Sequence, residues 1–189
     1  MENNEFLHYR NEIIENLNKF GVEYKLVGGS IVQLIDNTRE TSDLDLLIRK
    51  TQENLDKFII ALVECKFAAD DEIRQQIYVD SQILDDYNAY LIVPTNPRWI
   101  GFHIDMCFQL GKFDYENSPA ETHITSTGLQ IYSVPYKYIA HMKVNVFPQH
   151  RLQDLKDIKI IANHIGVDPS TGLSVRLGKN KNRQKNDNS

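Results

Sequence analysis

Two cysteines in 189 residues, Cys65 and Cys107, are too few and too isolated to build a disulfide framework. With no CxxC pair and no Cys/His ligand spacing they make no zinc site either. No apolar run approaches the roughly 18 residues of a membrane-spanning helix. The opening Met-Glu-Asn-Asn-Glu is acidic, unlike a secretory signal, so the cytoplasm is the expected compartment. The chain carries no internal repeat and no interior linker. What is left is an ordinary globular composition, 41% apolar and 25% charged, at a length suited to one domain with a small helical annex.

Positive charge is also scarce outside one place. The net charge is −5, yet the last fourteen residues carry Arg176, Lys179, Lys181, Arg183 and Lys185 against Asp187, so the other 175 residues stand at −9. Leu177 is the tail's one apolar anchor, and a segment of this composition is expected to be disordered. It reads as a solubilising tail or as an arm for a polyanion. The expected organisation is a single domain over residues 1–175, with a core to about 133 and C-terminal helices over about 134–166, followed by the basic tail 176–189.

Periodicity supplies the elements. Phe6, Tyr9, Ile13, Leu17 and Phe20 recur at helical spacing up to Gly21. Tyr24 to Val27 reads as a strand, a short helix starts near Ser30, and Leu44 to Ile48 reads as a second strand. Leu55, Phe58, Ile59, Leu62 and Val63 mark a helix with Thr51 as its N-cap. Residues 68–86 are polar, with Ile77 to Val79 as a candidate strand. Ala89 to Val93 is a strand, Pro94-Thr95-Asn96-Pro97 a turn, and Trp99 to Phe108 a long answering strand. Leu129 to Tyr132 is a further strand, and Pro135 opens a helix to about Val146. Leu152, Leu155, Ile158, Ala162 and Ile165 mark a last helix closed by Gly166. The fold class is α+β, a mixed β-sheet flanked by helices with a small C-terminal helical part.

One stretch carries chemistry, Leu-Val-Gly28-Gly29-Ser30 followed by Asp43-Leu44-Asp45. Side chains alternate across a strand, so Asp43 and Asp45 share one face while Leu44 and Leu46 fill the core. Two carboxylates about 4 Å apart repel by roughly 4 kcal/mol at an effective dielectric near 20, a cost that a cation between them removes. Mg²⁺ suits such a place because it is hard, prefers oxygen and is often held by carboxylates together with substrate phosphates. The glycine pair and Ser30 place backbone N–H groups and a hydroxyl where phosphates can approach. A third acid, Asp105, lies on one strand face with Gly101, His103 and Cys107, opposite Ile100, Phe102, Ile104, Met106 and Phe108. His103 reads as a structural or water-facing side chain.

Gly-Gly-Ser, twelve residues, Asp-x-Asp and a later strand aspartate resemble the nucleotidyltransferase superfamily that includes DNA polymerase β. The resemblance spans residues 24–108 and implies transfer of a nucleoside monophosphate from an NTP to a hydroxyl. Asp43, Asp45 and Asp105 would be both catalytic and metal-ligating, with two Mg²⁺ ions (Mn²⁺ able to substitute) ~3.5–4 Å apart. Gly28, Gly29 and Ser30 would bind the NTP. The segment "VPYKYIAHMKVNVFPQHRLQDLKDIKII" resembles the AbiEii-type toxin branch. That resemblance implies triphosphate contact from Lys143 and support of nucleotide or site geometry by Arg151 and Asp157, with Asp154 an alternative to Asp157. It also implies RNA, tRNA among the candidates, as acceptor and an antitoxin as protein partner. A small hydroxylated acceptor of antibiotic type and a catalytically silent binding module are the other readings.

Overall fold

The computed structural model describes residues 3–78, 89–111, 113–145 and 151–167. In chain order the elements are α1 (Asn3–Lys19), β1 (Tyr24–Leu26), α2 (Gly28–Val32), β2 (Asp43–Ile48), α3 (Gln52–Glu64), α4 (Asp70–Tyr78), β3 (Ala89–Ile92) and β4 (His103–Cys107). There follow β5 (Gln109–Leu110), β6 (Phe113–Asp114), β7 (Glu121–Ile124), β8 (Gln130–Ser133), α5 (Tyr136–Asn145) and α6 (Leu152–His164). Six strands form one mixed sheet in the order β3-β4-β2-β1-β8-β7, with β2 parallel to β4 and antiparallel to β1. The fold is α+β, as the alternation of the sequence implies.

The sheet's apolar face follows from strand alternation. Leu44, Leu46 and Ile48 of β2 lie level with Tyr24 and Leu26 of β1 and with Ile104 and Met106 of β4, and all are buried. They join one continuous core with Phe6, Ile13 and Leu17 of α1 and with Phe58, Ile59 and Leu62 of α3. α1 and α3 pack on each other. Thr51 accepts the Asn54 N–H at 3.2 Å and caps α3 as its position implies, a contribution of about 1 kcal/mol. α5 and α6 pack together and reach α2, so the chain's C-terminal helices come back to the Gly-Gly turn.

Four expectations change. Ile77 belongs to α4 and not to a strand, and Val79 lies outside the described residues. Asp70, Asp71 and Glu72 favour the positive end of that helix, and Ile73 and Ile77 bury one short stripe. The strand expected from Trp99 begins only at His103. Pro97–Trp99 instead form a 3₁₀ turn capped by Asn96, which accepts the Arg98 N–H, and Gly101 sits at φ +85°. A positive φ ends any extended run there, and Ile100 is left 75% exposed. Val63 is exposed and not part of the α3 stripe. Lastly, α6 is turned from the face its apolar residues mark. Leu152 is 80% and Leu155 50% exposed, while Asp154 and Asp157 are buried with Ile161 and Ala162. Val146 and the basic stretch 176–189 lie outside the described residues.

Candidate active site

The parallel register of β2 and β4 sets Asp43 beside His103 and Asp45 beside Asp105. All four side chains therefore project from the same face, opposite the leucines. Asp43, Asp45 and Asp105 stand at a cavity of about 730 Å³ lined also by Gly28, Gly29, Arg39, Lys143 and Arg151, and His103 lies beside Asp43 outside that lining. Tyr90 and Leu91 of β3, Leu110, and Ile139 and Met142 of α5 give the cavity an apolar side.

The glycine turn is shaped by Asp45. Gly28 lies at φ +59°, and a Cβ there would stand 2.1 Å from Asp45 Oδ2, so both its backbone and its lack of side chain are needed. Gly29 N–H donates to Asp45 Oδ2 at 2.9 Å. Ser30 is fully buried, with its hydroxyl donating to the Asp43 carbonyl at 2.8 Å and accepting the Asp45 N–H at 3.4 Å. Its side chain thus ties α2 to β2 and is not part of the cavity wall. Thr41 donates its hydroxyl to Asp43 Oδ1 and orients that carboxylate.

Burial, then Asp43 and Asp105, push the Asp45 carboxyl up to about 7, against the opposing effects of the Gly29 N–H and Lys143. Asp105 is also raised, first by burial and then by Asp43, with His103 pulling the other way. These carboxyls crowd one another. Asp43, His103 and Asp105 offer ligand atoms within 4.8 Å of one another.

The facing wall is cationic, and the acids of α6 organise it. Lys143 Nζ lies 2.7 Å from Asp154 and 2.8 Å from Asp157, with only 4% of its side chain exposed. It is therefore an enclosed ion-paired group and not a lysine reaching out to solvent. Arg39 grips both oxygens of Asp157 at 3.2 Å, and Arg151 contacts Asp154 at 3.1 Å. Gln153 adds a bond to Asp157 at 2.9 Å. Arg39 also lies so close to the turn that a Cβ on Gly29 would stand 2.5 Å from its Nη2.

Gly28, Gly29, Asp43, Asp45, Asp105, Lys143 and Arg151 thus meet at one cavity, whereas Ser30 and Asp157 support it from behind. Two groups were missed from sequence. Arg39 sits in a polar loop where no periodicity marks it. His103 shares a strand face with Asp105, which the alternation showed, but its place beside Asp43 depends on strand pairing.

No protein-family model and no curated protein matches the sequence. Among solved structures, the crystal structure of an antigenic nucleotidyltransferase-like protein from Paracoccidioides brasiliensis is similar, with a TM-score of 0.57 at 15% identity over 93% of this chain and 88% of that one. The mixed sheet with its flanking helices is the nucleotidyltransferase fold.

Proposed function

We propose that this chain is a divalent-metal-dependent nucleotidyltransferase that moves a nucleoside monophosphate from an NTP to a hydroxyl of RNA, in the manner of AbiEii-type toxins. The observation that carries the proposal is the meeting of acids and cations around one cavity. Crowded carboxyls of Asp43, Asp45 and Asp105 line it together with Arg39, Lys143 and Arg151. An NTP needs cations for its phosphates and a metal-binding acidic wall beside its α-phosphorus.

The residues fit a divalent ion. Their donors are hard oxygens, and the upward push on Asp45 and Asp105 is the strain that a cation relieves. When bound, such an ion neutralises phosphate charge and activates the acceptor hydroxyl. Asp105 is assigned to accept the hydroxyl proton at a carboxylate oxygen. Gly28 and Gly29 keep the turn free of side chains so that the β- and γ-phosphates can approach. Lys143, with Arg39 and Arg151, holds the triphosphate, while Asp154 and Asp157 fix the directions of these cations. Most of the rate enhancement then comes from positioning and charge complementarity.

RNA as acceptor is supported by the resemblance of residues 134–161 to the toxin branch and by the basic stretch 176–185 on an otherwise acidic chain. The test incubates purified protein with each α-labelled NTP, Mg²⁺ or Mn²⁺, and total RNA. Label on RNA that disappears with Asp45→Asn is expected. Label on a small hydroxylated antibiotic and none on RNA replaces the acceptor, and no label on any acceptor overturns the transferase.

A further inference from the structure

Asp45 is partly committed already, since one oxygen accepts the Gly29 N–H. The ligand atoms that converge are those of Asp43, His103 and Asp105, all half-buried and within 4.8 Å of one another. Donors of a six-coordinate ion with bonds of ~2.1 Å stand ~3.0 Å apart when adjacent and ~4.2 Å apart when opposite, so side-chain rotations from this spacing bring all three onto one ion. The fold enforces the meeting. His103 is the register partner of Asp43 in the parallel β2–β4 pair, and Asp105 follows two residues later on the same face. Among the described residues no hydrogen bond holds the His103 ring, so a ring nitrogen is available to a cation. The Thr41 hydroxyl fixes Asp43 from outside, as partners behind metal ligands commonly do.

We propose that His103 is a direct ligand of the divalent cation, together with Asp43 and Asp105, and that the site prefers Mn²⁺ to Mg²⁺. The inference rests on the nucleotidyl-transfer reading for the identity of the site. Mg²⁺ favours oxygen donors and gains little from imidazole, whereas first-row transition ions accept nitrogen readily. Mn²⁺ lies where both preferences overlap, since it also suits carboxylate and phosphate oxygens. Co²⁺ and Zn²⁺ should bind more tightly still, following the general order of divalent affinities.

The test is pulsed electron paramagnetic resonance of Mn²⁺ bound to the full-length protein, alongside calorimetry with Mn²⁺ and Mg²⁺. Wild type should show ¹⁴N modulation from a coordinated imidazole, altered by ¹⁵N-histidine labelling. The chain has six histidines, so His103→Gln must abolish that modulation and weaken Mn²⁺ roughly tenfold or more, with Mg²⁺ nearly unchanged. His103→Asp should restore ion binding without the nitrogen signal and shift preference toward Mg²⁺. Mn²⁺ bound to wild type with no imidazole modulation refutes the ligand even where a variant fails to fold. Mn²⁺ bound without imidazole modulation, modulation that survives His103→Gln, or equal weakening of both ions overturns the assignment. Imidazole modulation in a protein that transfers no NMP upholds the ligand and overturns the transferase reading instead.

Discussion

Replacing Lys143 with Met tests whether the cationic wall is an enclosed network. Met keeps the unbranched stem as far as Cε and removes the charge that sits 2.7 Å from Asp154 and 2.8 Å from Asp157. Both acids are almost fully buried, so the change leaves two enclosed carboxylates short of a cation. Asp157 keeps Arg39, and Asp154 keeps only Arg151, whose side chain is 73% exposed. Breaking a buried pair from one side costs about 3–5 kcal/mol. At about 2–4 °C per kcal/mol for a chain of this size, the melting temperature should fall by roughly 6–20 °C.

The pH dependence makes the test specific. Burial pulls the Asp154 carboxyl upward, but bonds from Arg151 and Lys143 outweigh it and hold it below the usual range. Asp157 is likewise lowered despite burial, by Arg39 and Lys143. Their stabilisation is complete above the unfolded value near ~3.9 and is lost only as pH falls through the lowered folded values. These two groups therefore give wild type no pH dependence between pH 7.5 and pH 5. Without Lys143, burial dominates at Asp154 and its folded value rises. That carboxyl then destabilises as pH rises, so the variant's deficit must shrink at pH 5. Urea unfolding at the two pH values measures this. A deficit below about 1 kcal/mol, or one equal at both pH values, would refute the buried network.

Asp45→Asn should leave the metal-free protein more stable than wild type at pH 8 and little changed at pH 4. The wild-type carboxyl is raised to about 7, so its penalty builds as pH climbs from the unfolded value near ~3.9; thermal melts across that range check it, and saturating Mn²⁺ should reverse the order. Gly28→Ala, with its Cβ 2.1 Å from Asp45 Oδ2, should destabilise and abolish metal binding in calorimetry. Gly21→Ala shares a positive φ but meets nothing within 4 Å, so it should cost only about 1–2 kcal/mol of backbone strain and spare the metal. Deleting residues 176–189 should weaken RNA binding and flatten its log–log salt dependence by about 0.7–0.9 per lost phosphate contact, with NTP affinity unchanged. RNA binding indifferent to the deletion at every salt concentration would remove the arm from the mechanism.

The local pattern of the chain determined which side chains share a strand face. Asp43, Asp45 and Asp105 could be placed opposite the core leucines because alternation is a property of a single strand and needs no partner. Thr51 as a cap and the helical stripe of α1 were legible for the same reason. What lies between strands and between helices was not. His103 stands beside Asp43 only because β2 and β4 pair in parallel at that register, and a slip of one residue would turn it to the other face. Arg39 comes from a loop without periodicity and reaches Asp157 across 118 positions of sequence. α6 was the sharpest departure. Its leucines mark one face, but the buried face is the one carrying Asp154 and Asp157, since Arg39 and Lys143 from elsewhere in the chain, with Arg151 at the helix's own N-cap, satisfy those acids there. Apolar periodicity assumes that charge stays in water; once tertiary contacts supply the counter-charges, that assumption fails, and the helix rotates its acidic side inward while Ala162 stays buried.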